Sequence, residues 1–467
     1  KRVIRKSSLV KRTSRQQAYP IPWHRYTHRP QVLACVTASR RIGAVDVHIE
    51  AGDAIIQGRC APRFQPVLDA FIDNFVHRGE IGAAVCLNVA GATQVDLWGG
   101  FTGAGADRAP WTADTLSVVF SCTKAATALC AHLLIDRGRL DLHARVADYW
   151  PEFAANGKAD VTVAMLLNHS AGVPALREPV RKGGFLDWDY MVERLGAEAP
   201  FWPPGTRNGY HMSTFGWTVG ELVRRVAGRS LGSLFRAEIA EPLGIDFWIG
   251  LPDAEHHRVA PIIPWTPDRN APLAAFSQAL RQGLQVAGGN LQLLALMNNG
   301  GHRADGPASW RAEIGGGGGI ANARALAGMY EPLANDGKAG GVRLLGADHI
   351  VRMSEVAVAT EEDATLLMPT RFGLGFMRSM DNRHRPAGHM ETMILGRSAF
   401  GHAGAGGSVG FADPEARLAF GYTMNRMGAG ILLNPRGQAL VDAAYRTLGY
   451  DTNAPGVWYR RGDARPH

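Results

Sequence analysis

Leu116-Ser117-Val118-Val119-Phe120-Ser121-Cys122-Thr123-Lys124-Ala125-Ala126-Thr127-Ala128-Leu129-Cys130-Ala131-His132-Leu133-Leu134-Ile135-Asp136-Arg137-Gly138 is the stretch on which the reading of this chain turns. An apolar lead-in runs to Phe120. The segment after Ser121 is rich in Ala and Leu, free of Pro, and stops at a Gly, which predicts a buried helix with a glycine stop. Residues three apart share a helix face, so Lys124 stands beside Ser121. Ser121 falls in the first turn, where unpaired N–H groups and the positive end of the helix dipole favour developing negative charge. A serine hydroxyl is a poor nucleophile until a base takes its proton. A lysine is that base only when neutral, and burial among apolar neighbours lowers its pKa. Seven of the 50 Lys and Arg residues are Lys, so one inside an apolar helix stands out. The S-x-x-K spacing alone does not decide the matter. Ser8-Leu9-Val10-Lys11 matches it in a basic segment, and a helix cap beside a snorkelling lysine fits Ser121 and Lys124 equally well.

In the chain as a whole, 467 residues are enough to bury a large core and to form two lobes. A hydrophobic content of 46% with 20% charged residues fits a globular chain. The net charge of +8 is unevenly placed: residues 1–45 hold 11 Lys and Arg and no acid, and removing them leaves −3. The basic balance belongs to this N-terminal segment, which is expected to be a disordered or loosely attached extension reaching residue 60. No basic stripe remains outside it, so no nucleic-acid partner is expected. Five unclustered cysteines (Cys35, Cys60, Cys86, Cys122, Cys130) show no metal spacing and are read as buried thiols in a reducing compartment. No apolar run is long enough to span a bilayer and no signal core is visible, so a cytoplasmic location is expected. No cofactor and no metal are expected; His256-His257 has no further ligands at metal spacing.

Along the chain, Phe64 to Arg78 is apolar at helical spacing, and Gly82–Gly91 and Gln94–Gly100 read as an antiparallel hairpin. Strand signals are scarce from Pro151 to Arg311. Val161–Gly172 reads as a short helix and turn, and Trp217–Ala227 and Leu231–Ile239 read as helices. Gly315 to Gly319 is a run of five glycines before a helix placed at Ala321–Asn335. Without a Gly-Lys-Ser/Thr ending it is read as a close-approach loop beside the cleft, not a phosphate cradle. Strand signals return at Phe372–Met377, Gly401–Gly404, Ser408–Asp413 and Leu418–Asn425, and Gln438–Leu448 reads as a closing helix. The expected fold class is α+β: an antiparallel sheet built from both ends of the chain, flanked by helices, with an inserted, mostly helical lobe. The expected division is 1–60 extension, 61–150 with 312–450 as the α/β lobe, 151–311 as the helical lobe and 451–467 as a C-terminal tail.

Partners for Ser121 and Lys124 must come from elsewhere. Tyr210, after the loop Pro203-Pro204-Gly205, offers a hydroxyl that shuttles a proton between nucleophile and leaving group. To accept that proton it must reach the phenolate, which nearby cations would favour. Gly401-His402-Ala403-Gly404 offers a polar side chain on a strand, with glycines that let backbone approach substrate.

Ser121-x-x-Lys124, Tyr210 and His402-x-Gly404 resemble, in order, the S-x-x-K, Y-x-N and K-T-G motifs of class C β-lactamases and penicillin-binding proteins. More closely the chain resembles the family VIII carboxylesterases, serine esterases on the β-lactamase fold. The likeness is carried by Met165–Pro174, Tyr210–Trp217, Gly316–Ala323 and Phe400–Asn425, and covers roughly residues 64 to 450. It implies an acyl-enzyme on Ser121, proton transfer by Lys124 and Tyr210, and an oxyanion hole from the N–H groups of Ser121 and Ala405, with His402 and Gly404 beside the substrate. Two positions depart from the pattern. Met212 stands where Y-x-N has asparagine, and His402 where K-T-G has a fixed cation, while a histidine is largely neutral at pH 7. Both changes disfavour β-lactams and D-alanyl peptides and suit a neutral ester.

The expected activity is therefore hydrolysis of short-chain carboxylic esters, with a small-molecule ester as the partner. The alternative is a β-lactamase or D-alanyl-D-alanine peptidase or amidase using the same Ser/Lys/Tyr site. A non-enzymatic binding or scaffold protein on this fold is disfavoured by the intact motif residues. Gly406-Gly407-Ser408-Val409-Gly410 matches G-x-S-x-G, but that motif needs a strand-to-helix turn, and here a strand comes after Ser408. His169 is read as a turn residue bonded to backbone. Asp141, Asp148 and Asp160 are read as loop and cap residues.

Overall fold

The computed structural model describes residues 44–106, 108–266, 291–385, 391–460 and 462. Ser8 to Lys11, Cys35 and most of the basic segment lie outside the described residues.

In chain order the strands that position the site are β1 (Val45–Ala51), β2 (Ala54–Cys60), β3 (Gly82–Val89), β4 (Ala92–Gly100), β5 (Ser117–Phe120), β6 (Phe247–Trp248), β7 (Gly319–Ala321), β8 (Phe400–Ala403), β9 (Val409–Asp413) and β10 (Leu418–Met424). The helices used below are α1 (Gln65–His77), α2 (Cys122–Asp136), α3 (Val163–Leu167), α4 (Trp188–Ala197), α5 (Phe215–Ala227), α6 (Leu231–Phe235), α7 (Ala323–Ala334), α8 (Ala347–Ser354) and α9 (Pro435–Thr447). Seven strands form one sheet in the order β1-β2-β4-β3-β10-β9-β8, and every pairing in it is antiparallel. The two ends of the chain meet at its middle, where Cys86 on β3 faces Gly421 on β10.

The sheet is covered on both faces, which explains why β3 and β10 read as near-continuous apolar runs instead of alternating ones. Val85 and Leu87 pack with Val67, Leu68 and Phe71 of α1 and Leu440, Val441 and Ala444 of α9. Ala84 and Cys86 point the other way, against Ala323 and Ala327 of α7. Gly421 makes room for α7: a Cβ there would lie 2.3 Å from the Ala323 carbonyl oxygen. A second core gathers around α2, with Leu166 and Leu167 of α3, Leu195 of α4 and Val219 and Leu222 of α5.

Residues 45–60 correct the expected boundary. They are not part of a loose extension: β1 and β2 pair along seven residues each, and β2 continues the sheet onto β4. Val47, Ile49, Ala51, Ala54 and Ile56 carry an alternation that the basic composition upstream obscures. The last described residues also dock, with the Trp458 N–H donating to Leu395 O at 2.9 Å and its ring stacked 5.9 Å from Tyr445. After the five glycines the helix begins at Ala323, not Ala321. Gly319–Ala321 is recruited as β7, central in a small sheet β5-β7-β6 that ties the stretch before Ser121 to the inserted segment. In the latter part of Leu231–Ile239, Arg236–Ala240 is a π-helical turn.

Candidate active site

β5 runs into Phe120, whose φ of 45° puts a bulky residue in the left-handed region. Such a conformation persists only where the surroundings over-determine it. Here the Phe120 carbonyl accepts from Thr123 Oγ1 at 2.5 Å, and Thr123 Oγ1 accepts from the Gly319 N–H at 2.8 Å. The turn delivers Ser121 at the N-cap of α2, yet its side chain makes no capping bond. The hydroxyl is left for chemistry, so the reading of Ser121 as a plain helix cap does not hold.

Lys124 does not snorkel. It is completely buried, because α2 is covered on nearly all sides from Cys122 to Leu134. Its Nζ lies 3.0 Å from Ser121 Oγ and 2.6 Å from each of two carbonyl oxygens, Met212 and Gly316. No carboxylate pairs with it among the described residues. Desolvation lowers its pKa from 10.5 to about 7, with Cys122 acting weakly in the opposite sense. A neutral amine has two N–H bonds and one lone pair. The two carbonyls take the N–H bonds, which aims the lone pair at Ser121, whose O–H then donates to it. Cys122 itself is inert: burial pushes its thiol up to about 12, and it donates to the His402 carbonyl at 3.2 Å, tying α2 to β8.

Tyr210 arrives from the inserted segment with its ring 4.8 Å from Lys124 Nζ. The ring is buried, 5.0 Å from His169 and stacked 5.8 Å from Phe372. The Tyr210 N–H lies 2.9 and 3.0 Å from the two oxygens of Asp363. Asp363 is a buried carboxylate that also accepts from the Thr365 and Leu366 N–H groups, each at 2.9 Å. Among the described residues the phenol oxygen has no partner of hydrogen-bonding geometry, although Ser121 is near enough to ease its ionisation. Burial dominates and raises the Tyr210 pKa, with Cys122 and Asp363 adding to it. The phenolate, which nearby cations would have favoured, is therefore not the resting form. The nearest amine is itself near neutrality, and the resting group is a phenol.

His402, on β8, has its ring 6.0 Å from Tyr210 and is fully buried. Its Nδ1–H donates to the Ala403 carbonyl at 2.7 Å, which leaves Nε2 as a bare acceptor with no partner among the described residues. Burial and then Lys124 lower its pKa to about 3. Gly404 is buried too: a Cβ there would sit 2.3 Å from the Val119 carbonyl oxygen, so this glycine lets β8 close on β5. The residues that keep partial exposure are Ser121, Met212, Ser213, Gly317, Gly318 and Ala405, and they outline the open side of the site. Among the described residues, no loop or turn bond takes up the N–H of Ser121 or Ala405.

The fold thus brings Ser121, Lys124 and Tyr210 together and sets His402 and Gly404 behind them. Ser408 is wholly buried just before β9, so a strand and not a helix follows it directly. His169 has φ 68° and its Nδ1 accepts from the His211 N–H at 3.2 Å, so it buttresses the Tyr210 loop. Trp202 lies behind the same loop, its Nε1–H donating to Ser170 O. Cys60, Cys86, Cys122 and Cys130 are free and buried. No group of three metal-ligating side chains occurs among the described residues, and none of their helices is long and apolar enough to cross a membrane. Sequence reasoning missed the Met212 and Gly316 carbonyls and Asp363. Of these, only the glycine run carried a signal.

Comparison with known proteins places the chain in a family. The family model described as Beta-lactamase matches residues 68–443. Esterase/beta-lactamase LipL of Mycobacterium tuberculosis (strain ATCC 25618 / H37Rv) is 38% identical over 376 residues, covering 79% of this chain and 83% of LipL. The crystal structure of a family VIII carboxylesterase is 42% identical with a TM-score of 0.72, covering 84% of this chain and 99% of that one. A penicillin-binding protein homologue from Caulobacter crescentus is 36% identical with a TM-score of 0.72 over the same shares. The chain belongs to the beta-lactamase family and, within it, to the family VIII carboxylesterases.

Proposed function

We propose that this protein is a serine carboxylesterase that hydrolyses short-chain carboxylic esters through an acyl-enzyme on Ser121. The observation that carries the proposal is the 3.0 Å approach of a buried, carboxylate-free Lys124 amine to an uncapped Ser121 hydroxyl. As Ser121 Oγ attacks the ester carbonyl carbon, its proton passes to Lys124 Nζ. The carbonyl oxygen takes the electron pair and is held by the N–H groups of Ser121 and Ala405; one such donor contributes on the order of 3 kcal/mol. Collapse of the adduct expels the alkoxide. The Tyr210 phenol protonates it and is reprotonated by the Lys124 ammonium. Water then attacks the acyl-enzyme by the same steps in reverse, giving acid, free Ser121 and neutral Lys124. His402, a neutral acceptor with its ring 6.0 Å from that of Tyr210, is left to face the substrate.

A neutral ester is favoured over a β-lactam or D-alanyl peptide because position 402 carries an uncharged, buried imidazole and so offers no cation to a substrate carboxylate. The LipL description, which joins both activities, supports a lesser β-lactam turnover at the same serine. The test is mass spectrometry of the trapped acyl-enzyme with p-nitrophenyl butyrate and with a chromogenic cephalosporin. The expected result is an acyl adduct on the peptide bearing Ser121, with ester turnover far above cephalosporin turnover. An adduct on Ser408, or ester turnover surviving in Ser121→Ala, would refute the assignment.

A further inference from the structure

The loop that carries the Ala405 N–H is Gly404-Ala405-Gly406-Gly407, and three glycines in four residues leave it few restraints of its own. An oxyanion donor is effective only when it is held in place before charge develops. The loop closes on itself through Gly404 N–H to Ser408 O at 2.7 Å and Gly407 N–H to Gly404 O at 3.0 Å. Its outward anchor is Gly406, whose carbonyl accepts from the Gly428 N–H at 2.8 Å and from Asn434 Nδ2 at 2.7 Å.

Asn434 is buried, and both ends of its amide are engaged. Its Oδ1 caps α9, accepting from the N–H groups of Arg436 at 3.0 Å and Gly437 at 3.3 Å. Two glycines are cleared for its nitrogen: a Cβ would lie 2.2 Å from Nδ2 at Gly407 and 2.3 Å at Gly428. The helix it caps is immobilised in turn. The Arg436 guanidinium donates to Glu80 at 2.5 Å and to the Arg426 carbonyl at 2.6 Å, and the Asn74 amide donates to the Arg436 carbonyl at 3.2 Å.

We infer that Asn434 is a positioning residue for the reaction: its amide nitrogen couples the glycine loop to α9 and so holds the Ala405 N–H where the oxyanion forms. The inference rests on the reading of Ala405 as an oxyanion donor. Asn434→Asp separates its two functions, because a carboxylate still caps the helix but presents an acceptor to the Gly406 carbonyl. Asn434→Ser, which keeps a cap and withdraws the donor, is the second variant should the first fold poorly.

The experiment measures kcat and KM on p-nitrophenyl butyrate for the full chain, with active-site titration by a fluorophosphonate and melting temperature as folding checks. A matched ester and thionoester pair reports on the hole itself, since sulfur is a poor acceptor for donors placed for oxygen. The expected result is a kcat about 10- to 100-fold lower, as befits a displaced rather than deleted donor. KM should stay within about threefold, Ser121 should be fully titratable, and the ester-over-thionoester preference should shrink. A wild-type enzyme that shows no such preference would defeat the oxyanion reading and this inference with it. A strong wild-type preference that both variants retain, with kcat within twofold of wild type, would defeat the inference alone. So would a loss that merely tracks falling melting temperature and titratable serine.

Discussion

The two ends of α2 each bury a basic side chain. Near the N-terminus Lys124 is held by two carbonyls and a serine hydroxyl. Near the C-terminus His132 Nε2–H donates to the Leu374 carbonyl at 2.8 Å, and its Nδ1 meets His349 Nε2 at 3.0 Å. His349 in turn lies 3.6 Å from the Asp136 carboxylate. Burial lowers both pKa values, to about 7 for Lys124 and about 3 for His132. A depressed pKa is therefore not what distinguishes the candidate base. Lys124 faces a partly exposed hydroxyl that makes no capping bond, whereas His132 is enclosed by the Leu374 carbonyl and His349. The second cluster is a cross-link between α2 and α8, the first the proposed proton acceptor.

Deletion of the reacting groups tests this contrast most severely. Ser121→Ala and Lys124→Ala are expected to lower kcat on p-nitrophenyl butyrate by at least about 10³-fold, while His132→Phe stays within about threefold per folded enzyme. Comparable losses at His132 and Lys124 would erase the distinction. Next in size, Tyr210→Phe should cost about 10²-fold in kcat, in the range of general acid–base catalysis. It should leave the melting temperature close to wild type, since the deleted hydroxyl has no partner to lose.

A pH profile separates the two ends of the helix further. Because Lys124 acts only when neutral, kcat/KM should rise through a single inflection at about 7. That makes it about tenfold lower at pH 6 than at pH 8, with no second inflection from His402, which titrates at about 3. Changes in stability should be slighter. His132→Phe strands the Leu374 carbonyl and His349, costing about 1–3 kcal/mol in denaturant unfolding at pH 7. In the folded chain His132 binds its proton at about 3 instead of its ordinary 6.5, so the folded state holds fewer protons than the unfolded one between those values. The wild-type protein therefore loses stability as pH falls through that window, and His132→Phe removes this share of the slope.

Where sequence was informative, a period or a punctuation residue was responsible. Ser121 and Lys124 were legible because three residues separate them on a helix bounded by Phe120 and Gly138, and the 82–100 hairpin was legible from its apolar runs and the turn at Gly91. What stayed hidden lacked a side-chain signature. Any residue can offer a carbonyl, so nothing in Met212 announces that its oxygen orients an amine 88 positions away. Asp363 sits in a loop of no marked pattern and matters only because Tyr210 folds onto it. Tyr210 was legible as a phenol after a Pro/Gly loop, but the depth of its burial, which keeps it un-ionised, shows only in the fold. The first two strands were overlooked because half of their residues face solvent beside a strongly basic segment.

The meeting of the two chain ends at β3 and β10 bears on how the enzyme comes into being. A ribosome has released Ser121 and Lys124 long before it makes the Gly316 carbonyl, 192 residues after the amine that needs it, and longer still before Asn425, whose Oδ1 receives the Gly82 N–H across 343 residues. Such distant pairings form slowly and late. Nascent chains cut short of β10 should consequently be inert toward esters, so that hydrolytic power is withheld until that strand has been made.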